Sequence, residues 1–287
     1  MSLQFDVFDD GSGTFFYRDG LYDVMLHAFD QVLENRAGAR MSDRAYLTAL
    51  NSLIQIAPDF VDVHGHLAIH WYEKGKSRKT LDTALFALGI ANRVIPEGFH
   101  GPIEWSIRDN RPYLRAMYVA LLATIRLRRH QDAGAIIALL LARNPGDQQG
   151  VRYLQGSEAL RCGDIEAARR IFLAEAHAYP PYHYELALSH MLHSEWVQAA
   201  TALRRGFVAN TYIAEALAGN PHPDRLKVWH ESNMAEPALA CGYLHMYGAL
   251  WDRHLDCLAF TRWLHHHPVV MRERANMMAC HDGFNIS

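Results

Sequence analysis

The chain has 287 residues, half of them hydrophobic and 21% charged, which is ample material for a packed core and excludes a largely disordered chain. With 28 basic against 31 acidic side chains, the formal net charge of -3 provides no strong field to draw nucleic acid or an anionic membrane surface. Cys162, Cys241, Cys257 and Cys280 lie far apart with no CxxC pair, which argues against a disulfide framework or a zinc knuckle and for reduced thiols in a cytoplasm.

The N-terminus carries acid where a signal peptide carries base, and it lacks a long apolar core. In residues 1–20, Leu3, Phe5 and Val7 alternate with polar residues, Asp9 to Gly13 reads as a turn, and Thr14 to Tyr17 as a return strand, so an N-terminal arm or hairpin is predicted. From Tyr22 onward apolar residues recur at three and four. Breaks fall at Pro58, Pro96, Pro112, Pro145, Pro180–Pro181 and Pro221–Pro223. Several intervals approach the ~34 residues of a helix–turn–helix repeat. Residues 21–96 read as an N-terminal helical block with one divergent repeat, 97–111 as a connecting loop, 112–220 as repeats, and 221–287 as a helical cap. Trp229, Trp251, Trp263, Tyr243 and Tyr247 read as that cap's aromatic core. The longest apolar stretches, such as Ala116 to Ile125, are about half of the ~20 residues a membrane span needs.

Aligning the chain with itself gives the small-and-apolar pattern of two closely crossing helices. Residues 114–145 supply Ala120, Ala133, Ile137, Leu140 and Pro145. Residues 148–180 supply Leu154, Ala167, Ile171, Ala174 and Pro180, and 180–210 supply Leu186, Ala187, Ala199, Leu203 and Gly206. The unit 61–96 fits with Leu67, Ala68, Trp71, Gly75, Ala84, Leu88, Ala91 and Pro96 if its second helix begins four residues late. The predicted fold is all-α, a tetratricopeptide-like helical-repeat array (an α-solenoid) with a helical C-terminal cap.

Three stretches carry a resemblance. Trp105 with Arg111-Pro112-Tyr113-Leu114-Arg115-Ala116, then Asn144 to Leu154 (NPGDQQGVRYL), resemble the RPYxRA and NPxDxQGxRY motifs of a group of bacterial tetratricopeptide proteins. Asn210 to Gly219 is similar to that group's Asn-then-aromatic ending. The likeness covers residues 105–219 and reaches the Trp251 region only loosely. It implies a helical-repeat fold and an interaction role, not a reaction. Some members carry a Cys-rich zinc module, to which nothing here corresponds.

Pro112 suits the first turn of a helix, with Asn110 or Arg111 as its cap, and Asp147 suits an N-cap. Both motifs therefore read first as helix stop–start signals. The alternative follows from repeat geometry, in which the first helix of each pair lines a concave groove. That register assigns peptide-binding roles to Arg111, Arg115, Tyr118, Leu122, Gln149, Arg152, Tyr184 and Leu188. An apolar groove with arginines at one end fits an acidic or C-terminal peptide segment.

Signatures of catalysis are weak. His66 and His70 are four apart, but HLAIH lacks the intervening Glu of a zinc motif. His190 with His193 read as core or surface histidines, and His265 to His267 before Pro268 as helix-end imidazoles suited to the dipole and solvent. Gly11-Ser12-Gly13 has no phosphate-loop frame, and Glu104 and Asp109 flank Trp105 at no fixed separation. The leading expectation is a cytoplasmic scaffold that binds a protein or peptide, with no cofactor and no metal. A helical enzyme with a site near the 97–111 loop, or a self-associating module that uses the aromatic C-terminal region, are the alternatives.

Overall fold

The three-and-four spacing of apolar residues is realised as 14 α-helices among the described residues, preceded by one hairpin. The structure, a computed structural model, describes residues 2–18, 20–225 and 233–283. These divide into two compact units, Met1–Arg152 and Tyr153–Ser287. Trp229 lies outside the described residues.

In the first unit, β1 (Leu3–Val7) and β2 (Gly13–Tyr17) pair antiparallel, from Leu3 opposite Tyr17 to Val7 opposite Gly13. Their turn is held by Asp10, whose carboxylate accepts from the Ser12 amide and hydroxyl. Six helices follow: α1 (Leu21–Ala37), α2 (Asp43–Ile56), α3 (Val61–Glu73), α4 (Ser77–Asn92), α5 (Arg111–Arg126) and α6 (His130–Arg143). Met25, Phe29, Tyr46, Leu50, Phe60 and Val63 form one core cluster. Ala68, Ala84, Val119, Ala120 and Ala123 form another, where methyl-sized side chains let α3, α4 and α5 pack closely. Because α5 packs directly on α3 and α4, the 97–110 segment leaves the helical stack uninterrupted.

The second unit contains α7 (Arg152–Arg161), α8 (Ile165–Glu175), α9 (Pro181–Met191), α10 (Trp196–Ala209), α11 (Thr211–Leu217), α12 (Pro237–Trp251), α13 (Leu255–His265) and α14 (Pro268–Gly283). Here α12 packs on α9 and α11, while α13 and α14 pack on α10. Tyr243, Tyr247 and Trp251 are buried as a core, but Trp263 is 58% exposed and does not belong to it. His265 is buried against Phe207, away from the solvent-facing helix end read from the sequence.

A repeated turn fixes the register of four helical pairs. Gly75, Arg128, Gly163 and Ser194 each take a left-handed conformation, with φ of 69°, 59°, 84° and 60°. Each amide bonds back to the carbonyl three residues earlier, and the next residue's amide reaches five back, as Lys76 does to Trp71 and Glu195 to His190. This is a Schellman closure. Five residues beyond each turn stand Thr80, Ala133, Ala168 and Ala199, all essentially fully buried. The small position of the first pair is therefore Thr80, with no four-residue delay, and that of the α8 pair is Ala168 rather than Ala167. Phe172, not Ile171, fills the α8 core, and Gly156 of α7 lets its ring approach: a Cβ there would overlap it.

Candidate functional site

Asn110 positions the start of α5. It precedes the helix, but its side chain does not cap it. Instead its Oδ1 accepts from the Phe15 amide at 3.1 Å, and its Nδ2 donates to the Gly13 and Glu104 carbonyls at 3.0 and 3.2 Å. The hairpin, the loop and the first turn of α5 are thus tied at one buried side chain. Arg143 fastens the rest of the loop by donating to the Gly101 and Phe99 carbonyls. Gly101 sits where a Cβ would overlap the Gly11 carbonyl. Arg111 donates from Nε to the Trp105 carbonyl at 3.0 Å and lies over that indole. Glu104 and Asp109 are both exposed.

On α5, Arg111, Arg115, Tyr118, Leu122 and Arg126 are half-buried, as is Pro112 in the first turn, while the other sides of the helix are buried against α3, α4 and α6. Their spacing of three and four puts them on one face. Beside them, α3 presents Asp62, His66, Ile69 and Tyr72, also half-buried. The stripes are joined at both ends. Arg115 is ion-paired with Asp62, and Arg126 donates to the Tyr72 carbonyl at 2.7 Å while lying 3.4 Å from the centre of its ring. His66 lies 3.8 Å from Asp62 and meets Phe29 edge-on. Burial pushes His66 down to about 4, with Arg115 adding to the shift and Asp62 opposing it, so the imidazole is neutral at pH 7. Arg115 therefore carries its own counter-ion, which the sequence reading had not supplied.

The 144–151 turn holds two further predicted residues. Asp147 has a left-handed φ of 45° and accepts from the Val151 amide at 2.7 Å, the Arg152 amide at 3.0 Å and Arg152 Nε at 2.8 Å. It anchors the entry to α7 as expected of a capping carboxylate, and it also neutralises Arg152. Gln149 donates to the Leu114 carbonyl at 3.3 Å, which returns the turn to α5.

The structure places Tyr184 and Leu188 differently. Neither has exposed surface. Tyr184 donates to the Asn210 carbonyl at 2.6 Å, and its ring lies against Gly206. They are interior residues, because the chain's own later helices cover α9. Asn210, the start of the third resembling stretch, caps α11 by accepting from the Ile213 amide, and it donates to the Met234 and Glu236 carbonyls.

Among the described residues, the histidines do not converge. His64 bonds the Pro58 carbonyl, His70 is buried beside Tyr46 and Trp71, and His190 and His193 bond Glu195 and the Ser189 carbonyl. Among the described residues, no group of three or more His, Cys, Asp or Glu could hold a metal ion, and no helix is long and apolar enough to cross a membrane.

No protein-family model matches the chain, and no curated protein sequence does. Solved structures do match. One, described as "MamA RS-1 ArsTM double mutant" and tetratricopeptide-like, superposes with a TM-score of 0.50 at 11% identity, over 64% of this chain and 92% of its own. At that identity the likeness speaks for the fold alone, and the fold is a tetratricopeptide-like helical repeat.

Proposed function

We propose that the half-buried face formed by α3 and α5 binds a protein or peptide segment, which would make the chain an interaction scaffold rather than an enzyme. One observation carries this: the exposed parts of two otherwise buried helices line up as Asp62, His66, Ile69 and Tyr72 beside Arg115, Tyr118, Leu122 and Arg126. Aromatic and arginine side chains held on rigid helices are the residues that dominate interface energies. A ligand carboxylate would replace Asp62 on Arg115, an exchange of one ion pair for another, so an acidic or C-terminal segment fits while its apolar anchors supply most of the affinity. Gln149 and Arg152 extend the same reading towards the 144–151 turn.

The test uses a photo-crosslinking side chain at Leu122 in native lysate. The crosslinked partner is expected to be lost in Arg115→Glu/Tyr118→Ala, where two hot-spot truncations of about 2 kcal/mol each would weaken binding by more than a hundredfold. Retention of the same partner at the same yield in the double variant overturns the reading.

Self-association is favoured by a separate observation. Trp196, Phe260, Trp263 and His267 form a ladder of ring contacts 5.1–5.6 Å apart on α10, α13 and the residues after it, with both tryptophans exposed. If this patch joins two copies, Trp196→Lys/Trp263→Lys lowers the mass measured by light scattering to one chain. An unchanged mass removes this reading.

A further inference from the structure

In the second unit, α12 covers a polar face that a permanent core would not be expected to contain. Glu185 of α9 has no exposed surface; one carboxylate oxygen accepts from Ser157 at 2.7 Å and the other has no hydrogen-bond partner. Glu158 of α7 is almost as deeply buried and is ion-paired with Arg161 at 3.0 Å. Among the described residues, the face holds two carboxylates and one cation. Over it, α12 lays Tyr243, Tyr247 and Trp251, four residues apart and thus on one side of the helix. Arg161 donates to the Met246 carbonyl at 3.0 Å and lies 4.4 Å from the Tyr247 ring centre. Trp251 donates to the Tyr243 hydroxyl at 2.7 Å, while the Tyr247 hydroxyl is buried with no partner. Anchors at one-turn spacing are how a helix is read by a groove.

We propose that the inner face of α7 and α9 is a helix-receiving groove that α12 occupies as a removable intrachain strap, so that a partner helix with aromatic anchors four residues apart enters only when α12 leaves. The surface is distinct from the α3–α5 face and does not depend on it. Charging Glu185 beside Glu158 is what loosens the strap. Among the described residues, the groups that face Glu185 are Ser157, Glu158 and Arg161 from α7, Tyr182 on α9 itself, and Tyr243 and Tyr247 from α12. Burial pushes Glu185 up from its ordinary 4.5 to about 7; Ser157, Arg161 and, more weakly, the Tyr243 hydroxyl oppose the shift and Glu158 adds to it. A carboxyl raised in the docked state favours docking below its free value and loses that advantage as pH rises through the docked one. Docking is therefore tightest below pH 4.5 and weakens up to about pH 7, where the loss levels off.

Hydrogen exchange on the full chain tests the strap. After correction for the intrinsic pH dependence, α12 amides are expected to open about thirtyfold more often at pH 8 than at pH 5.5, while α9 and α10 stay protected. In Glu185→Gln the α12 opening becomes independent of pH. Equal opening of α12 and α9 in the unaltered chain overturns the proposal, and that comparison needs no variant. So does a pH dependence that survives in Glu185→Gln. The groove itself is tested with a fluorescent peptide copy of residues 236–252, which is expected to bind Tyr243→Ala/Tyr247→Ala at least tenfold more tightly than the unaltered chain, because the competing strap is weakened. Failure of the peptide to bind a folded double variant also overturns it.

Discussion

Replacing Asn110 with alanine is expected to lower the stability of the first unit by about 3 kcal/mol and to loosen the α3–α5 face with it. The side chain has no exposed surface and serves three backbone groups, the Phe15 amide and the Gly13 and Glu104 carbonyls. An ordinary hydrogen bond contributes about 1 kcal/mol net, but a buried donor or acceptor left without a partner costs about 1–3 kcal/mol. Bulk water does not reach these bonds, because Asn110 and its partner Phe15 are both buried. Asn110→Asp is expected to be no milder: it keeps the acceptor for Phe15 and turns a carboxylate towards two carbonyls. Urea denaturation gives the magnitude, and hydrogen exchange in β2 and the first turn of α5 gives the location. A loss below about 1 kcal/mol, or one with the hairpin amides still protected, would show that the hairpin is held by its ring contacts, Phe5 on Phe15 and Phe15 on Tyr113, rather than by Asn110.

Asn110 also shows where the sequence stops being informative. A residue before Pro112 reads as a helix cap, since caps are local and short polar side chains favour them. Its actual partners lie 97 and 95 residues away in the hairpin, and nothing local announces them. Asp62 is the same case: the stripe Arg111, Arg115, Tyr118 and Leu122 follows from helical spacing alone, but the counter-ion 53 residues earlier does not. The repeat register was partly legible. Gly75 and Gly163 mark two of the four left-handed turns, whereas Arg128 and Ser194 take the same conformation without glycine, so the pattern is hidden at half its positions. The one-residue slip at Ala167 has another origin, because Gly163 does mark that turn: Ala167 and Ala168 are adjacent alanines, and only burial selects Ala168. The burial of Tyr184 and Leu188 was illegible for another reason. Both occupy inner-helix positions like Tyr118 and Leu122, and only the return of later helices onto α9 removes them from solvent.

Asp147 makes the converse point, a local motif whose reading survives but whose energetic role is larger than a cap. Its carboxylate is 1% exposed and accepts from two backbone amides and from Arg152 Nε. Hydrogen bonds to a charged group contribute about 1.5–3 kcal/mol each, and their geometry here depends on a left-handed backbone that Asp and Asn tolerate better than alanine. Asp147→Ala is therefore expected to cost about 3–4 kcal/mol, as the lost bonds and the strained φ of 45° act together. Asp147→Asn keeps the backbone preference and one acceptor oxygen, and is expected to cost less than half as much. Asp147→Asn removes the charge that faces Arg152 Nε while the turn stays in place. If thermal melts rank the two variants equally, the turn is held by its backbone bonds, Asp147 to the Asn144 carbonyl and Gly150 to the Asp147 carbonyl, and the carboxylate is incidental to it.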